Sequence, residues 1–125
     1  MISFTVPGPP VPWARARRMG NRYFVDEKTA AFKQRVALAA KKAGVVKIEK
    51  PHAVKVCLEF YLPRPKSNKT TWPVDRHDVD NLSKGILDAM IGVAFEDDGQ
   101  VISLYVSKRW SDPPSTRIDI ERIAG

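Results

Sequence analysis

Asp78-Val79-Asp80-Asn81-Leu82-Ser83-Lys84-Gly85-Ile86-Leu87-Asp88-Ala89-Met90 is followed, after a five-residue spacer, by Glu96-Asp97-Asp98-Gly99-Gln100 and then by Val101-Ile102-Ser103-Leu104-Tyr105-Val106. In the first segment Leu82, Ile86, Ala89, Met90 and Val93 recur at intervals of three and four, the period of an amphipathic helix. Asp78 or Asp80 is the residue type that opens such a helix, and Gly92 lies near its end. The acid-rich run at 96–99 has the composition of a turn, and the β-branched and aromatic residues after it predict a strand. A helix, a turn and a strand thus stand side by side in the chain.

The flanks continue the mixture. Upstream, His52 to Leu62 carries Val54, Val56, Leu58 and Phe60 at period two, a strand with one buried face. Between that strand and Asp78, residues 63–75 hold three prolines and no periodicity, which predicts a mobile loop. Further back, a helix capped by Asp26 or Thr29 runs to about Ala43 with Phe32, Val36, Ala39 and Ala40 on one face, and Gly44 stops it. At the N-terminal end Ile2 to Val6 alternates as a short strand and breaks at Pro7-Gly8-Pro9-Pro10, and Asn21 to Val25 forms a short strand or hairpin arm. Downstream, Asp112-Pro113-Pro114 turns the chain into a last strand, Thr116 to Ile123, with Ile118, Ile120 and Arg122 on the face of Thr116. These readings predict an α+β fold: one small domain with a mixed β-sheet and two main helices packed on it. Strand order is not legible in them.

The 125 residues suit one domain over 1–125, small enough that a partner subunit would add useful burial. No apolar run approaches the roughly 20 residues of a membrane span, and the first residues lack the pattern of a secretory signal. A single cysteine, Cys57, makes no internal disulfide. An intracellular, cytoplasmic protein without membrane partners is the expectation. Net charge is +7, and its distribution is uneven. From Asp75 to Asp98 seven acids face two bases, whereas the rest of the chain holds 19 bases and 7 acids. A basic body around an acidic focus suits a metal-dependent enzyme acting on a polyanion; an unevenly solvated surface is the competing reading.

If the chain is extended or capping up to Asp80, the Asp78 and Asp80 carboxylates point to one side and can share a cation. Hard ions such as Mg²⁺ take carboxylate oxygens plus water and assist phosphodiester hydrolysis. Helix capping and solvation are the alternative for each acid taken alone. A calcium loop is excluded, because Leu82 stands at the next oxygen position and Ser83 at the required glycine. Lys84, four residues after Asp80, either meets a scissile phosphate or forms a surface ion pair with Asp80. Asn81 either contacts phosphate or caps the helix. With only His52 and His77 and no Gly-x-Ser-x-Gly elbow, a serine triad has little support, and no glycine-rich phosphate loop is present. His77 reads first as an exposed loop histidine. Arg15, Arg17 and Arg18 lie in a segment without apolar periodicity and, with Arg22 and the loop bases Lys66, Lys69 and Arg76, are candidate phosphate contacts. Nearby aromatics can stack on exposed bases or pack in the core.

The run Asp78-Val79-Asp80-Asn81-Leu82-Ser83-Lys84, then Asp88, then Asp97-Asp98-Gly99-Gln100-Val101, resembles the pattern of the RusA family of Holliday-junction resolvases. The opening Phe4-Thr5-Val6-Pro7-Gly8-Pro9-Pro10-Val11-Pro12-Trp13, with Arg15 and Arg17, is similar to the N-terminal segment of phage and prophage members. The resemblance implies a RusA-like homodimer that binds four-way DNA junctions and cuts two opposed strands symmetrically, in recombination and repair. It also implies Mg²⁺ or Mn²⁺ as the only cofactor, Asp78, Asp80 and Asp98 as metal-binding catalytic acids, and Lys84 as the catalytic or phosphate-contacting lysine. Two other readings stay open on the residues alone: a non-catalytic basic nucleic-acid-binding protein, and a nuclease selective for flaps or forks.

Overall fold

The computed structural model describes residues 1–13, 17–20, 22–24 and 26–125; for 17–19 and 22–24 it describes the backbone alone. Strand β1 (Ile2–Pro7) leads through the proline-rich segment to a hairpin of β2 (Arg17–Met19) and β3 (Arg22–Phe24), and then to helix α1 (Glu27–Lys42). Strand β4 (Ala53–Leu62), helix α2 (Val79–Met90), strand β5 (Val101–Trp110) and strand β6 (Ser115–Ile123) complete the chain. The fold is α+β, with a mixed four-stranded sheet in the order β1-β6-β4-β5 and two helices, as the periodicities predict. Strand β5 is longer than the stretch ending at Val106 that its sequence suggests. Beyond that point Lys108 and Arg109 blur the strand composition, yet hydrogen bonding to β4 persists to Trp110.

Pairing of β4 with β6 and of β1 with β6 is antiparallel, while β4 and β5 run parallel. Parallel neighbours cannot be joined by a tight turn, so the β4-to-β5 connection must cross the sheet, and α2 lies within that crossover. Register aligns Phe4, Ile118, Leu58 and Val106 in one row across the sheet, and Val6, Thr116, Phe60 and Lys108 in the next. Because alternate residues face the same way, Leu104, Val106 and Lys108 all lie on the face that carries the core. That core joins Val54, Val56, Leu58 and Phe60 of β4 to Phe32, Val36 and Ala40 of α1 and Leu82, Ile86 and Met90 of α2. Burying each large aliphatic side chain contributes about 1.5–3 kcal/mol.

Helix α1 begins at the expected residue: the Asp26 carboxylate accepts the Lys28 N–H. It ends in two backbone bonds, Gly44 N–H to the Lys41 carbonyl and Val45 N–H to the Ala40 carbonyl, with Gly44 at φ +80°. That left-handed turn explains why a glycine stands there. The segment 63–75, read as a mobile loop, has no regular element but is cross-braced. The Asn68 amide donates to both Asp75 oxygens, the Thr70 hydroxyl donates to Asn68 Oδ1, and the Trp110 indole N–H and Arg64 both donate to the Thr70 carbonyl. Arg122 continues the face of Ile120 but is exposed. No helix among the described residues is long and apolar enough to cross a membrane.

Candidate active site

Seven carboxylates fall between Asp75 and Asp98, and the fold divides them into two groups. Four are engaged. Asp75 holds Asn68, Asp88 pairs with Lys33 of α1 at 2.5 Å, and Glu96 accepts the Lys50 N–H at 2.5 Å. Asp97 folds back over Gly99, where a Cβ would lie 2.9 Å from its Oδ2, and sits 3.9 Å from the Lys50 ammonium. The remaining three, Asp78, Asp80 and Asp98, have exposed side chains that make no hydrogen bond or ion pair among the described residues.

Asp78 is the N-cap of α2 by backbone position, with extended φ −70° and ψ 142°, yet its carboxylate makes no capping bond. Asp80 lies one residue inside the helix, so the alternation that would carry both acids to one side of an extended chain stops at Asp78. The helix instead groups Val79, Asp80, Ser83, Lys84 and Leu87 on one stripe, since residues three and four apart are neighbours. That stripe, Leu104 and Val106 of β5, and Asp98 line a single open cavity of about 470 Å³. Asp80, Lys84 and Asp98 are therefore brought together on one groove, and Asp78 stands outside its lining.

Asp80 comes from the first turn of α2 and Asp98 from the turn before β5, the two ends of one connection. Among the described residues no three His, Cys, Asp or Glu side chains converge into a ready-made metal cage. The donors lining the groove are the two carboxylates, and this set suits Mg²⁺, which keeps several waters and is commonly held by one or two carboxylates plus substrate phosphate.

Lys84 does not pair with Asp80: no ion pair joins them among the described residues. Its ammonium lies over the Trp13 indole, 4.0 Å from the ring centroid. An exposed helical ion pair contributes about 0.3–0.5 kcal/mol, whereas an ammonium on an indole face gains about 0.5–2 kcal/mol depending on desolvation, so the ring wins. Trp13 is held there through its backbone. Its N–H donates to the Asn81 carbonyl at 3.0 Å, and Gly85 lets the loop close onto α2, since a Cβ would lie 3.3 Å from the Val11 carbonyl oxygen and 3.4 Å from the Trp13 nitrogen. Asn81 thus contributes its carbonyl to this contact, while its side chain is exposed.

Lys108 and Gln100 also shape the site, and sequence reasoning assigned neither that part. Lys108 donates to the carbonyls of Arg76 at 2.6 Å and His77 at 2.9 Å, fixing the backbone that presents Asp78; the signal was its even position in period two with Val106. Gln100, buried, accepts the Glu96 and Asp97 N–H groups and donates to the Ile48 and His52 carbonyls, which holds the turn that carries Asp98. His77 is exposed as expected, with φ +31°. Desolvation, then the charges of Arg76 and Lys108, push its imidazole below the ordinary 6.5 against an upward pull from Asp78.

Of the candidate DNA contacts, Lys66, Lys69 and Arg76 are exposed on the segment that enters α2. Arg15 lies outside the described residues, and the side chains of Arg17, Arg18 and Arg22 lie outside them too.

The chain is 34% identical to "Uncharacterized protein YqaN" of Bacillus subtilis (strain 168), over 98% of this chain and 97% of that protein. The family model "Endodeoxyribonuclease RusA" matches residues 7–121, which spans every described element from the end of β1 into β6, the groove included. The chain belongs to the RusA family of endodeoxyribonucleases, whose activity is that of Holliday-junction resolvases acting on branched DNA.

Proposed function

We propose that the protein is a Mg²⁺-dependent resolvase that cuts four-way DNA junctions as a homodimer, with paired, symmetric hydrolysis of opposed strands during recombination and repair. The observation that carries this reading is the division of the acids: those left without a partner among the described residues include the two that share a groove with Lys84. Two unpaired carboxylates facing one groove bring no structural gain there, whereas a cation held between them would have oxygen ligands on both sides.

In this reading Asp80 and Asp98 would hold the metal ion, with Asp78, at the N-cap of the same helix, as the third acid. Mg²⁺, or Mn²⁺ in its place, supplies Lewis-acid stabilisation of the phosphoryl oxygens and lowers the pKa of a coordinated water. Lys84 neutralises charge developing on the scissile phosphate. Arg76, Lys66 and Lys69, with Arg15, Arg17, Arg18 and Arg22, bind flanking phosphates, and Asn81 orients the strand beside the acids. A two-fold protein suits a two-fold junction, because one operation then relates both cuts. Such work places the protein in the cytoplasm of a cell or of an infected host.

The test is cleavage of a labelled four-way junction beside a linear duplex of matching sequence, with Mg²⁺ and with EDTA, for wild type and Asp80→Asn. Paired nicks on the junction alone, abolished by EDTA and reduced at least about a hundredfold in the variant, are the expected result. Junction binding with no cutting under any metal would instead support the non-catalytic binding protein. Equal cutting of flaps or forks would move the preference away from four-way junctions.

A further inference from the structure

We infer that Trp13 is a positioning residue of the active site: its indole face holds the Lys84 ammonium off Asp80 and so keeps the Asp80 carboxylate open for a cation. The inference rests on the proposed metal site and adds a residue outside the acidic motif. Lys84 and Asp80 stand four apart on α2, a spacing at which opposite charges pair across one helical turn. With no competing partner the ammonium would settle on the carboxylate, placing positive charge where a divalent ion must bind. In the structure it lies instead 4.0 Å from the Trp13 ring centroid, and among the described residues Asp80 has no partner.

The Trp13 backbone is anchored independently of Lys84. Backbone contacts fix Trp13 at two places, its N–H on the Asn81 carbonyl and the approach of residues 11–13 to Gly85. Ring, lysine and acid are therefore set by one short piece of α2 and the loop packed on it. An aromatic face suits this task better than a carboxylate. It attracts the ammonium without neutralising it, so Lys84 keeps its full charge for an incoming phosphate.

The contact makes a prediction for metal binding without DNA. Mn²⁺ affinity is measured by electron paramagnetic resonance titration of the full chain for wild type, Trp13→Leu, Trp13→Phe, Trp13→Leu/Lys84→Gln and Asp80→Asn, with thermal melting to verify folding. Trp13→Leu frees the ammonium to pair with Asp80 and weakens Mn²⁺ binding by about twofold, the share of a ~0.3–0.5 kcal/mol ion pair. Trp13→Phe keeps an aromatic face and holds the wild-type affinity. Adding Lys84→Gln to Trp13→Leu restores the affinity, because the competing charge is gone. Unchanged affinity in Trp13→Leu, or a loss that Lys84→Gln does not restore, overturns the inference while the metal site stands. Absence of Mn²⁺ binding in wild type, or binding that Asp80→Asn leaves intact, overturns the metal reading and this inference with it.

Discussion

The turn before β5 and the entrance to α2 are both rich in acids and polar groups, but, Asp98 apart, the turn engages its groups while the helix entrance leaves its acids free of partners among the described residues. In the turn, Gln100 makes four hydrogen bonds, Glu96 accepts a backbone N–H from Lys50, and the Asp97 carboxylate folds over Gly99. At the helix entrance Asp78 and Asp80 make none among the described residues, although an N-cap is where a carboxylate most readily finds a donor. Buried polar groups are satisfied because leaving them unpaired is costly, so the turn is explained by folding. Exposed acids are satisfied by water, so folding does not require their placement; of the two, Asp80 shares its groove with Lys84 and Asp98, and the proposed chemistry rests there.

Breaking the structural half should give the largest stability effect. Gln100→Leu strands two N–H groups and two carbonyls and is expected to lower unfolding free energy by about 3 kcal/mol, read by urea denaturation. A loss below about 1 kcal/mol would mean that water replaces those bonds readily and that the turn is not held by Gln100.

The same contrast accounts for what the sequence made legible. Val54 to Phe60 at period two, Leu82 to Met90 at three and four, and Asp26 before α1 are local signals, and each element appears where its pattern lies, except that α2 ends at Met90, before Val93, which the period included. The parallel pairing of β4 with β5 and the insertion of β6 between β1 and β4 depend on contacts far apart in the chain, which no local period encodes. For the site, Asp78, Asp80, Lys84 and Asp98 stood out as a motif, but the motif does not distinguish engaged acids from unengaged ones. Asp88 and Asp97 belong to the same run, and only the structure shows that they have partners, Lys33 and Lys50. Lys108 and Trp13 act through contacts across 31 residues or more, from β5 to the α2 entrance and from the N-terminal loop to α2.

Lys108 tests the boundary between the two halves, because it is a structural group that serves the functional end. Lys108→Met is expected to cost only about 1 kcal/mol of stability, since its bonds are exposed, while junction cleavage falls by roughly tenfold as the backbone before Asp78 loses its anchor. Equal cleavage rates would show that Asp78 is presented without it.

The smallest effect concerns pH. The imidazole of His77 is held below 6.5 in the fold, so as pH falls below that value the unfolded chain takes up its proton first and the folded state is penalised. Stability is accordingly insensitive to His77 above pH 6.5 and declines as pH falls below it, and His77→Gln should flatten that decline in denaturation curves between about pH 7 and 5. An unchanged slope would mean that burial and the charges of Arg76 and Lys108 do not act on this ring as the structure implies.

The most direct test of the division itself uses its two adjacent acids. Junction cleavage and urea denaturation are measured side by side for Asp97→Ala and Asp98→Ala. The account predicts that Asp98→Ala loses cutting at least about a hundredfold while stability stays within about 0.5 kcal/mol, and that Asp97→Ala keeps cutting within a few-fold. Cutting retained in Asp98→Ala and lost in Asp97→Ala would contradict it.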